Sequence, residues 1–361
     1  MSYWGQRNYG LIAAGQEHTL GVQSDGTVLA VGNSGSNRLA VGNWTEIVQV
    51  AAGGDFSIGL KSDGSVVSAG NTADGRRNVG GWSDIVQVSA HSAFTIGLRA
   101  NGTVVATGSN TSGQLNVSGW TDVVQIAAGS VNSLGLRSDG TVLFAGNNFS
   151  GTIDVSGWTE IIQISAGRTF ALGLKSDGTV VATGNNDQGQ LNVSGWTDVV
   201  QIDTGVTGNT TSFGTTTWGV RSDGTVLSTG NNSNGQANTG GWNNIIQVAG
   251  GGVFVIGLHS DGTVTSVGSN TSGQRNIASW ELSIGQFYEI EGVTSLDGDP
   301  TPMEVRAYDA LSGSIQIKGH SDPSGVYKLR VPRWYDAYVM CLPPEGYQPF
   351  THGPIIRPDE L

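Results

Sequence analysis

The sequence has few charges, one cysteine and no long apolar run. Of its 361 residues only 13% are charged, and 17 Lys+Arg against 29 Asp+Glu give a formal net charge of −12. The single cysteine, Cys341, excludes a disulfide within the chain. Because no stretch of about 18 apolar residues occurs, we expect no membrane insertion. The scarcity of basic clusters argues against nucleic acid or anionic lipid as the main partner.

Proline is also missing from most of the chain. Residues 1–286 contain none, and all nine prolines lie in the last 75 residues. This asymmetry predicts one domain over 1–286 and a second over 287–361. The start, MSYWGQRNYG, lacks a basic segment followed by an apolar one, so we expect no secretory signal peptide. Glycine, at 57 residues, is abundant instead and predicts many tight turns.

Two sequence ladders reveal an internal repeat. Seven of the ten tryptophans follow one another at steps of 38, 38, 38, 38, 46 and 38 residues: Trp44, Trp82, Trp120, Trp158, Trp196, Trp242 and Trp280. A second ladder, in which Asp or Asn precedes Gly, has the same steps: Asp25, Asp63, Asn101, Asp139, Asp177, Asp223 and Asp261. Two ladders in the same register make a sevenfold repeat secure.

Each repeat is predicted to form four short strands. In one unit these are VVQIAAG, SLGLRS, TVLFAG and a segment of the QLNVSGW type. The Asp-Gly between the second and third strands favours a hairpin turn in which both central residues have positive φ. With almost no helical periodicity, the fold class is all-β, a seven-bladed β-propeller followed by a small β-sandwich. The strand glycines and the tryptophans are predicted to be packing elements between blades.

The repeat is also similar to a known family. The pattern VQIAAG…LGLKSDGTVVATGNNDQGQLNVSGW resembles the regulator of chromosome condensation repeat, and its short blades resemble those of β-lactamase inhibitor protein II. The resemblance covers about residues 5–285 and implies a seven-bladed propeller. It implies little about function, because the family includes nucleotide exchange factors, an enzyme inhibitor and a plant photoreceptor.

The C-terminal segment reads as a separate β-sandwich. Alternating apolar residues lie between Gly/Pro turns in YEIEGVTS, MEVRAYDA, SIQIKGHS, VYKLRVP and DAYVMCLPP. The phrases VRAYDALSG and SDPSGVYKLRVP resemble transthyretin-like modules related to the regulatory domain of carboxypeptidases. That resemblance implies a non-catalytic adaptor of the kind found in bacterial surface proteins and in virion proteins of tailed bacteriophages.

Catalytic, metal and cofactor sites are not predicted. The five histidines never occur at zinc-ligand spacing, and Cys341 lies in an apolar strand where a thiol is inert. Acids that follow the tryptophans could form an acidic collar on one face or serve as local turn partners: Glu46, Asp84, Asp122, Glu160 and Asp198. We favour the local role, and we expect basic residues such as Lys61 and Lys175 to pair locally beside the turns.

Partner binding is assigned to the loops between the first and second strands. The step of 46 residues marks an insertion in one of these loops, and loops on a rigid scaffold often carry binding. A neutral insertion is the alternative, because long surface loops cost little. The candidate residues vary between repeats: Val206, Thr207, Asn209, Thr210, Thr211, Ser212, Phe213, Gln16, Glu17, His18, Asp55, His91, Asn132 and Arg168.

These features together favour a non-enzymatic structural or binding protein. The expectation is a bacteriophage virion component that decorates the head or tail, or recognises a host surface. Its partners would be other virion proteins or a host-surface receptor, and a homo-oligomer is possible. The alternative is a regulator or inhibitor-like propeller of the bacterial cytoplasm or cell surface that binds another protein.

Overall fold

The computed structural model describes residues 10–148, 153–205 and 215–282 with their side chains, and the backbone of the strands between 287 and 351. The chain divides into two compact units, Asn8–Ser283 and a second that contains Ile284–Leu361. The predicted domain boundary after residue 286 stays a prediction. No α-helix occurs among the described residues, which confirms the all-β expectation for that part of the chain.

The first unit contains seven three-stranded antiparallel sheets in its described residues, as in a seven-bladed propeller. Each sheet takes three consecutive strands: β1 Ile12–Ala14, β2 His18–Val22, β3 Val28–Gly32; β4 Ile47–Ala52, β5 Phe56–Lys61, β6 Val66–Gly70; β7 Ile85–His91, β8 Phe94–Arg99, β9 Val104–Gly108; β10 Val123–Ala128, β11 Asn132–Arg137, β12 Val142–Gly146; β13 Ile161–Ala166, β14 Phe170–Lys175, β15 Val180–Gly184; β16 Val199–Gly205, β17 Thr216–Arg221, β18 Val226–Gly230; β19 Ile245–Gly250, β20 Phe254–His259, β21 Val264–Gly268.

Among the described residues the predicted fourth strand does not form, which corrects the four-stranded unit. Segments of the QLNVSGW type fold into turns, and short 3-10 turns occur at the same place in the first two repeats, at Gly35–Asn37 and Ala73–Gly75. The Asn110 side chain accepts a hydrogen bond from the Leu115 backbone N–H at 2.8 Å, and Gly113 has a φ of +79°. Side chains therefore satisfy backbone groups that a strand would pair in a ladder.

The Asp-Gly hairpins also differ in detail from the prediction. Gly26 has a φ of +74°, but Asp25 does not have a positive φ. The Gly26 N–H donates to the Gln23 carbonyl at 3.0 Å, and the Gln23 N–H donates to the Thr27 carbonyl at 2.8 Å. This is a type I turn followed by a glycine bulge, not a turn with two positive-φ residues. The aspartate instead accepts the Thr27 N–H at 2.9 Å.

The tryptophans pack on the strand glycines, as predicted. A Cβ added to Gly59 in β5 would lie 2.8 Å from Trp44 Cε3, and one added to Gly97 would lie 2.7 Å from Trp82 Cζ3. Each indole therefore lies on the sheet that follows it in the chain. The last tryptophan has no following sheet, and it lies on the first: a Cβ on Gly21 would be 2.8 Å from Trp280 Cζ3. The seven sheets accordingly form a closed ring.

Glutamines join neighbouring sheets near the ring axis. Gln163 Nε2 donates to the Ile202 carbonyl at 3.1 Å, and the Ile202 N–H donates to Gln163 Oε1 at 2.9 Å. The same reciprocal pair links Gln201 to Val248 at 3.2 and 2.8 Å. Each glutamine amide thus supplies a donor and an acceptor to backbone groups of the first strand in the next sheet.

The second unit is described by its backbone alone. Its strands are β22 Phe287–Val293, β23 Ser295–Leu296, β24 Asp299–Pro300, β25 Glu304–Asp309, β26 Ile315–His320, β27 Val326–Pro332, β28 Ala337–Leu342 and β29 Phe350–Thr351. They form a four-stranded sheet in the order β26-β25-β28-β29 and pairs β22-β27 and β23-β24. The five strands predicted from the sequence lie within one or two residues of β22, β25, β26, β27 and β28.

Candidate functional site

The loops between first and second strands lie at one end of the ring and contact each other. The Gly252 N–H donates to the Gly15 carbonyl at 3.2 Å, which joins the loops of the last and first sheets. Asn132 Nδ2 donates to the Arg168 carbonyl at 3.0 Å, which joins the loops of the fourth and fifth. The structure thus brings the described parts of the predicted loops together on one face, here called the loop face.

The candidate residues differ in the solvent exposure of their side chains. Glu17 is exposed, and four side chains are half-buried: Gln16, Asp55, His91 and Arg168. His18 and Asn132 are 0% and 1% exposed, so both side chains belong to the interior of the ring. The inserted residues Val206, Thr207, Asn209, Thr210, Thr211, Ser212 and Phe213 lie outside the described residues. Binding by this face stays a prediction.

His18 is a neutral core residue. Its Nε2 lies 3.0 Å from Ser57 Oγ, and it occupies the strand position where Phe56 stands in the next sheet. Burial, with the nearby Arg38 guanidinium, lowers the pKa of His18 to about 3. A histidine kept neutral in this way contributes a hydrogen bond to packing and no charge to the loop face.

Asp55 is engaged in an ion-pair network. Its Oδ1 lies 2.6 Å from Arg76 Nη1, and its Oδ2 accepts a hydrogen bond from Asn71 Nδ2 at 2.6 Å. Arg76 also pairs with Asp74 at 2.7 Å, and its guanidinium carbon lies 5.9 Å from the centroid of the Phe56 ring. These contacts fix the loop of the second sheet, because one guanidinium donates charge-assisted hydrogen bonds to two carboxylates and restrains both.

The acids that follow the tryptophans have a local role. Glu46 and Glu160 both have a φ of +61°, so each backbone turns into its first strand through a left-handed residue. Their carboxylates lie 3.5 Å from Lys61 Nζ and Lys175 Nζ respectively. The lysines therefore pair with these glutamates rather than with the turn aspartates. The turn aspartates accept hydrogen bonds from the residue two positions on, and these bonds lower the pKa of Asp63.

The structure also contains a polar group that the sequence analysis missed. The first strands of all seven sheets line a cavity of about 170 Å³ on the ring axis, here called the central channel. One position in each strand forms a ring of small residues around it: Ala13, Ala51, Ser89, Ala127, Ser165, Asp203 and Ala249. Among these seven positions Asp203 is the ionisable one, and His91 also lines the cavity. The signal was available, because the sixth repeat has IDTG where the others have mostly IAAG, VAAG or ISAG.

Asp203 is held in one orientation. Its Oδ1 accepts a hydrogen bond from Ser165 Oγ at 3.1 Å, and its Oδ2 accepts the Gly250 N–H at 2.8 Å. Burial raises the pKa of Asp203 to about 6, against the lowering effect of these hydrogen bonds. None of the ion pairs between described residues involves this carboxylate.

The sixth sheet departs from the repeat at further positions beside Asp203. Trp218 replaces the aliphatic residue found in the other second strands, is 1% exposed, and donates from Nε1 to the Gln236 carbonyl at 3.1 Å. Glycines surround its ring: added Cβ atoms on Gly205 and Gly250 would lie 2.8 and 2.5 Å from it. The indole thus packs in the interior beside the ends of β16 and β17, between which the insertion lies.

Metal sites and membrane-spanning helices were also sought among the described residues. Its residues contain no group of three His, Cys, Asp or Glu side chains placed to hold a metal ion. Nor do those residues include a helix long and apolar enough to cross a membrane. Cys341 lies in β28, and its side chain is outside the described residues.

Comparison with known proteins assigns the repeat. Residues 47–76, 85–114 and 161–190 match the model of the regulator of chromosome condensation (RCC1) repeat. The chain contains RCC1 repeats. The three matched segments coincide with the second, third and fifth sheets of the ring. No curated protein matches the amino-acid sequence.

Solved structures of similar fold agree with the RCC1 assignment. The ectodomain of the receptor kinase ACR4 from Arabidopsis thaliana has a TM-score of 0.56 at 18% identity and covers 74% of this chain and 98% of that one. The ectodomain of the receptor kinase CR4 from Physcomitrella patens gives 0.57 at 18%, covering 90% of each chain. Prp20p from Saccharomyces cerevisiae gives 0.54 at 15%, covering 76% and 85%. At these identities the likeness shows the RCC1-like propeller fold alone.

Proposed function

We propose that this chain is a non-enzymatic, protein-binding platform that uses the loop face of its propeller. The observation that supports this most is that packing residues and variable residues occupy different parts of the repeat. Repeat positions are occupied by Trp–Gly contacts and glutamine bridges, whereas the loops that differ between sheets lie together on one face. Prp20p, one of the similar propellers, binds Gsp1p and histones, and yeast RCC1 is bound by Kap60. A propeller with RCC1 repeats is therefore a reasonable scaffold for protein recognition.

The second unit extends the proposal to an assembly. We take its strands to form a transthyretin-like β-sandwich that acts as an adaptor, on the strength of the phrases VRAYDALSG and SDPSGVYKLRVP. An RCC1-repeat propeller joined to such an adaptor fits a bacteriophage virion component, located on the particle and facing other virion proteins or a host-surface receptor. The alternative is an inhibitor-like propeller of the bacterial cytoplasm or cell surface, which the inhibitor-like blades favour.

Mass spectrometry of purified particles separates the two versions of the proposal. Detection of the chain at a fixed stoichiometry in particles that survive density-gradient purification supports the virion role. Its absence from particles, together with its presence in the host cell fraction, supports the regulator instead.

The loop face is tested by deleting Thr207–Gly214. The other six repeats fold without this insertion, so we expect the thermal unfolding midpoint to stay within a few degrees while binding to particles or partner weakens. A matched control is Asp84→Asn at the far end of a sheet, because Asn244 occupies the equivalent position in the seventh repeat. If the deletion protein folds and binds normally while Asp84→Asn abolishes binding, the loop face is the wrong surface.

A further inference from the structure

Two repeats carry a buried arginine in the turn after the third strand, where four other repeats carry glutamine. Arg38 and Arg76 are both 8% exposed. The glutamines at this position are buried as well: Gln114, Gln190, Gln236 and Gln274. Gln114 closes its turn with a neutral amide, because its Oε1 accepts the Ser112 N–H at 2.9 Å. The turn therefore folds without a charge at this position, and packing alone does not require a guanidinium there.

Arg76 shows how the chain itself neutralises such a guanidinium. Its Nη1 donates to Asp55 Oδ1 at 2.6 Å, and its Nη2 donates to Asp74 Oδ2 at 2.7 Å. Its Nε donates to the Ala73 carbonyl at 2.9 Å. Hydrogen bonds between ionised groups are stronger than neutral ones, and here two carboxylates balance one cation that burial would otherwise penalise.

Arg38 is held by carbonyl groups instead. Its Nε donates to the Gly35 carbonyl at 3.0 Å, and its Nη1 donates to the Gly54 carbonyl at 3.1 Å. Because Gly54 lies in the loop before β5, this guanidinium reaches the loop face. None of the ion pairs between described residues involves Arg38. Its Nη2 has no hydrogen-bond partner among those residues and is not wholly buried, so its N–H donors are available from outside.

The first repeat lacks both carboxylates because of two differences in sequence. Ser36 stands where Asp74 stands in the second repeat, and both residues have a left-handed backbone, with φ of 59° and 57°. Glu17 stands where Asp55 stands, but its Oε2 accepts a hydrogen bond from Asn33 Nδ2 at 2.7 Å. A buried cation without a counterion costs free energy, so a carboxylate from outside the chain would gain more here than at an ordinary surface arginine.

We propose that Arg38 anchors a carboxylate-binding site on the loop face, where an Asp or Glu side chain of the partner takes the place that Asp74 takes beside Arg76. This inference rests on the proposed protein-binding function, because it names the group of the partner that the loop face contacts. The turn over 34–37 is exposed, so a partner's side chain can approach Nη2. A planar guanidinium matches the two oxygens of a carboxylate, and a carboxylate is the group that the second repeat already uses.

The test uses Nα-acetyl-aspartate methylamide as the probe and the full chain as the protein. Ligand-observed NMR titration at pH 7 and low salt should show saturable binding. Nα-acetyl-asparagine methylamide has the same shape without the charge, so it should bind about tenfold more weakly. Arg38→Gln introduces the residue of four other repeats, so it should fold and should weaken binding of the aspartate probe by a similar factor. Arg99→Gln, with the same change of charge at the far end of β8, should bind normally.

Ser36→Asp transfers the carboxylate of the second repeat into the first. It should weaken probe binding about tenfold while Arg38 is still present, and it should raise the thermal unfolding midpoint, because the buried cation then has an internal partner. Unchanged probe binding by a folded Ser36→Asp protein would overturn the proposal. Glu17→Gln should leave probe binding unchanged. Tighter binding in that variant would show that Glu17 itself occupies the Arg38 site, which would also overturn the proposal.

The chemical class of the anion and the role of the loop face are separated by two further measurements. Inorganic phosphate that binds more tightly than the aspartate probe, with the same dependence on Arg38, would contradict the assignment to a carboxylate. Probe binding that depends on Arg38 supports the site even where deletion of Thr207–Gly214 leaves attachment to particles or partner unchanged; that result counts against the protein-binding function alone. Absence of probe binding to a protein whose circular dichroism shows it to be folded rejects the site, whatever the deletion does.

Discussion

The indole of Trp280 lies against Gly21, although 259 residues separate them in the chain. The contact repeats what Trp44 makes with Gly59 in the second sheet. Leu282 accompanies it, because a Cβ on Gly21 would also lie 2.8 Å from Leu282 Cδ1. At Gly59 the corresponding neighbour is Ile47, whose Cδ1 would be 3.0 Å away. The end of the repeat region therefore completes the first sheet, which is why the ring closes.

The Gly21→Ala variant should destabilise the closed ring. The added methyl group would overlap Trp280 and Leu282, and overpacking of this kind typically costs about 1–3 kcal/mol. Urea unfolding followed by tryptophan fluorescence measures the change. The control is Gly119→Ala, where an added Cβ meets nothing within 4 Å and the backbone φ is not positive. If both variants unfold at the same urea concentration, the Trp280 contact does not hold the ring closed.

Most of the ring was predictable from its sequence, because the tryptophans and strand glycines recur at fixed steps. Each indole packs on a glycine that leaves room for it, so the same residue types return in every repeat. The predicted fourth strand was wrong, because Asn110 and Gly113 close a local turn just before QLNVSGW and that segment does not pair with the sheet. The Asp-Gly hairpins were placed correctly, but the turn type depends on which of two residues takes positive φ. Asp203 was not predicted, because its difference from the other repeats is visible only when equivalent positions of the seven first strands are compared.

Gln163→Leu should cost about 1–3 kcal/mol of unfolding free energy. The substitution removes both hydrogen bonds to Ile202 and leaves its buried N–H unpaired, while the carbonyl keeps a hydrogen bond from Gln201 Nε2 at 3.1 Å. Leucine itself is tolerated at the equivalent position of the first sheet, where Leu11 is 8% exposed and the Val50 N–H pairs with the Gly10 carbonyl at 2.7 Å. Chemical denaturation checks the value. An unchanged midpoint would mean that the glutamine bridges add nothing to cohesion between sheets.

His18→Phe should make the protein more resistant to acid. The pKa of His18 is lowered from 6.5 to about 3 in the folded protein. As the pH falls below 6.5, the unfolded state therefore binds a proton at His18 while the folded state does not, and the folded state loses stability. The wild-type protein therefore loses up to about 5 kcal/mol between pH 6.5 and 3 through this group. Phenylalanine fits, because Phe56 stands at this position over Gly53 as His18 stands over Gly15. Thermal melts at pH 7 and pH 4 should differ less in the variant; equal differences would contradict the assignment.

Asp203→Ala should remove a pH dependence of opposite sign. Burial raises the pKa of Asp203 from 3.8 to about 6. Between these values the folded state holds a proton that the unfolded state has released, so stability through this group falls as the pH rises from 3.8 to 6. The loss is at most about 3 kcal/mol, and the partial exposure of Asp203 reduces it. Unfolding free energies measured at pH 4.5 and 7 should therefore show that the variant's stability relative to the wild type is greater at pH 7. Alanine is a suitable replacement, because Ala13 and Ala51 occupy this position in the first two sheets. A variant that loses stability relative to wild type as the pH rises would show that Asp203 is stabilised in its charged form by a group other than those contacting it here.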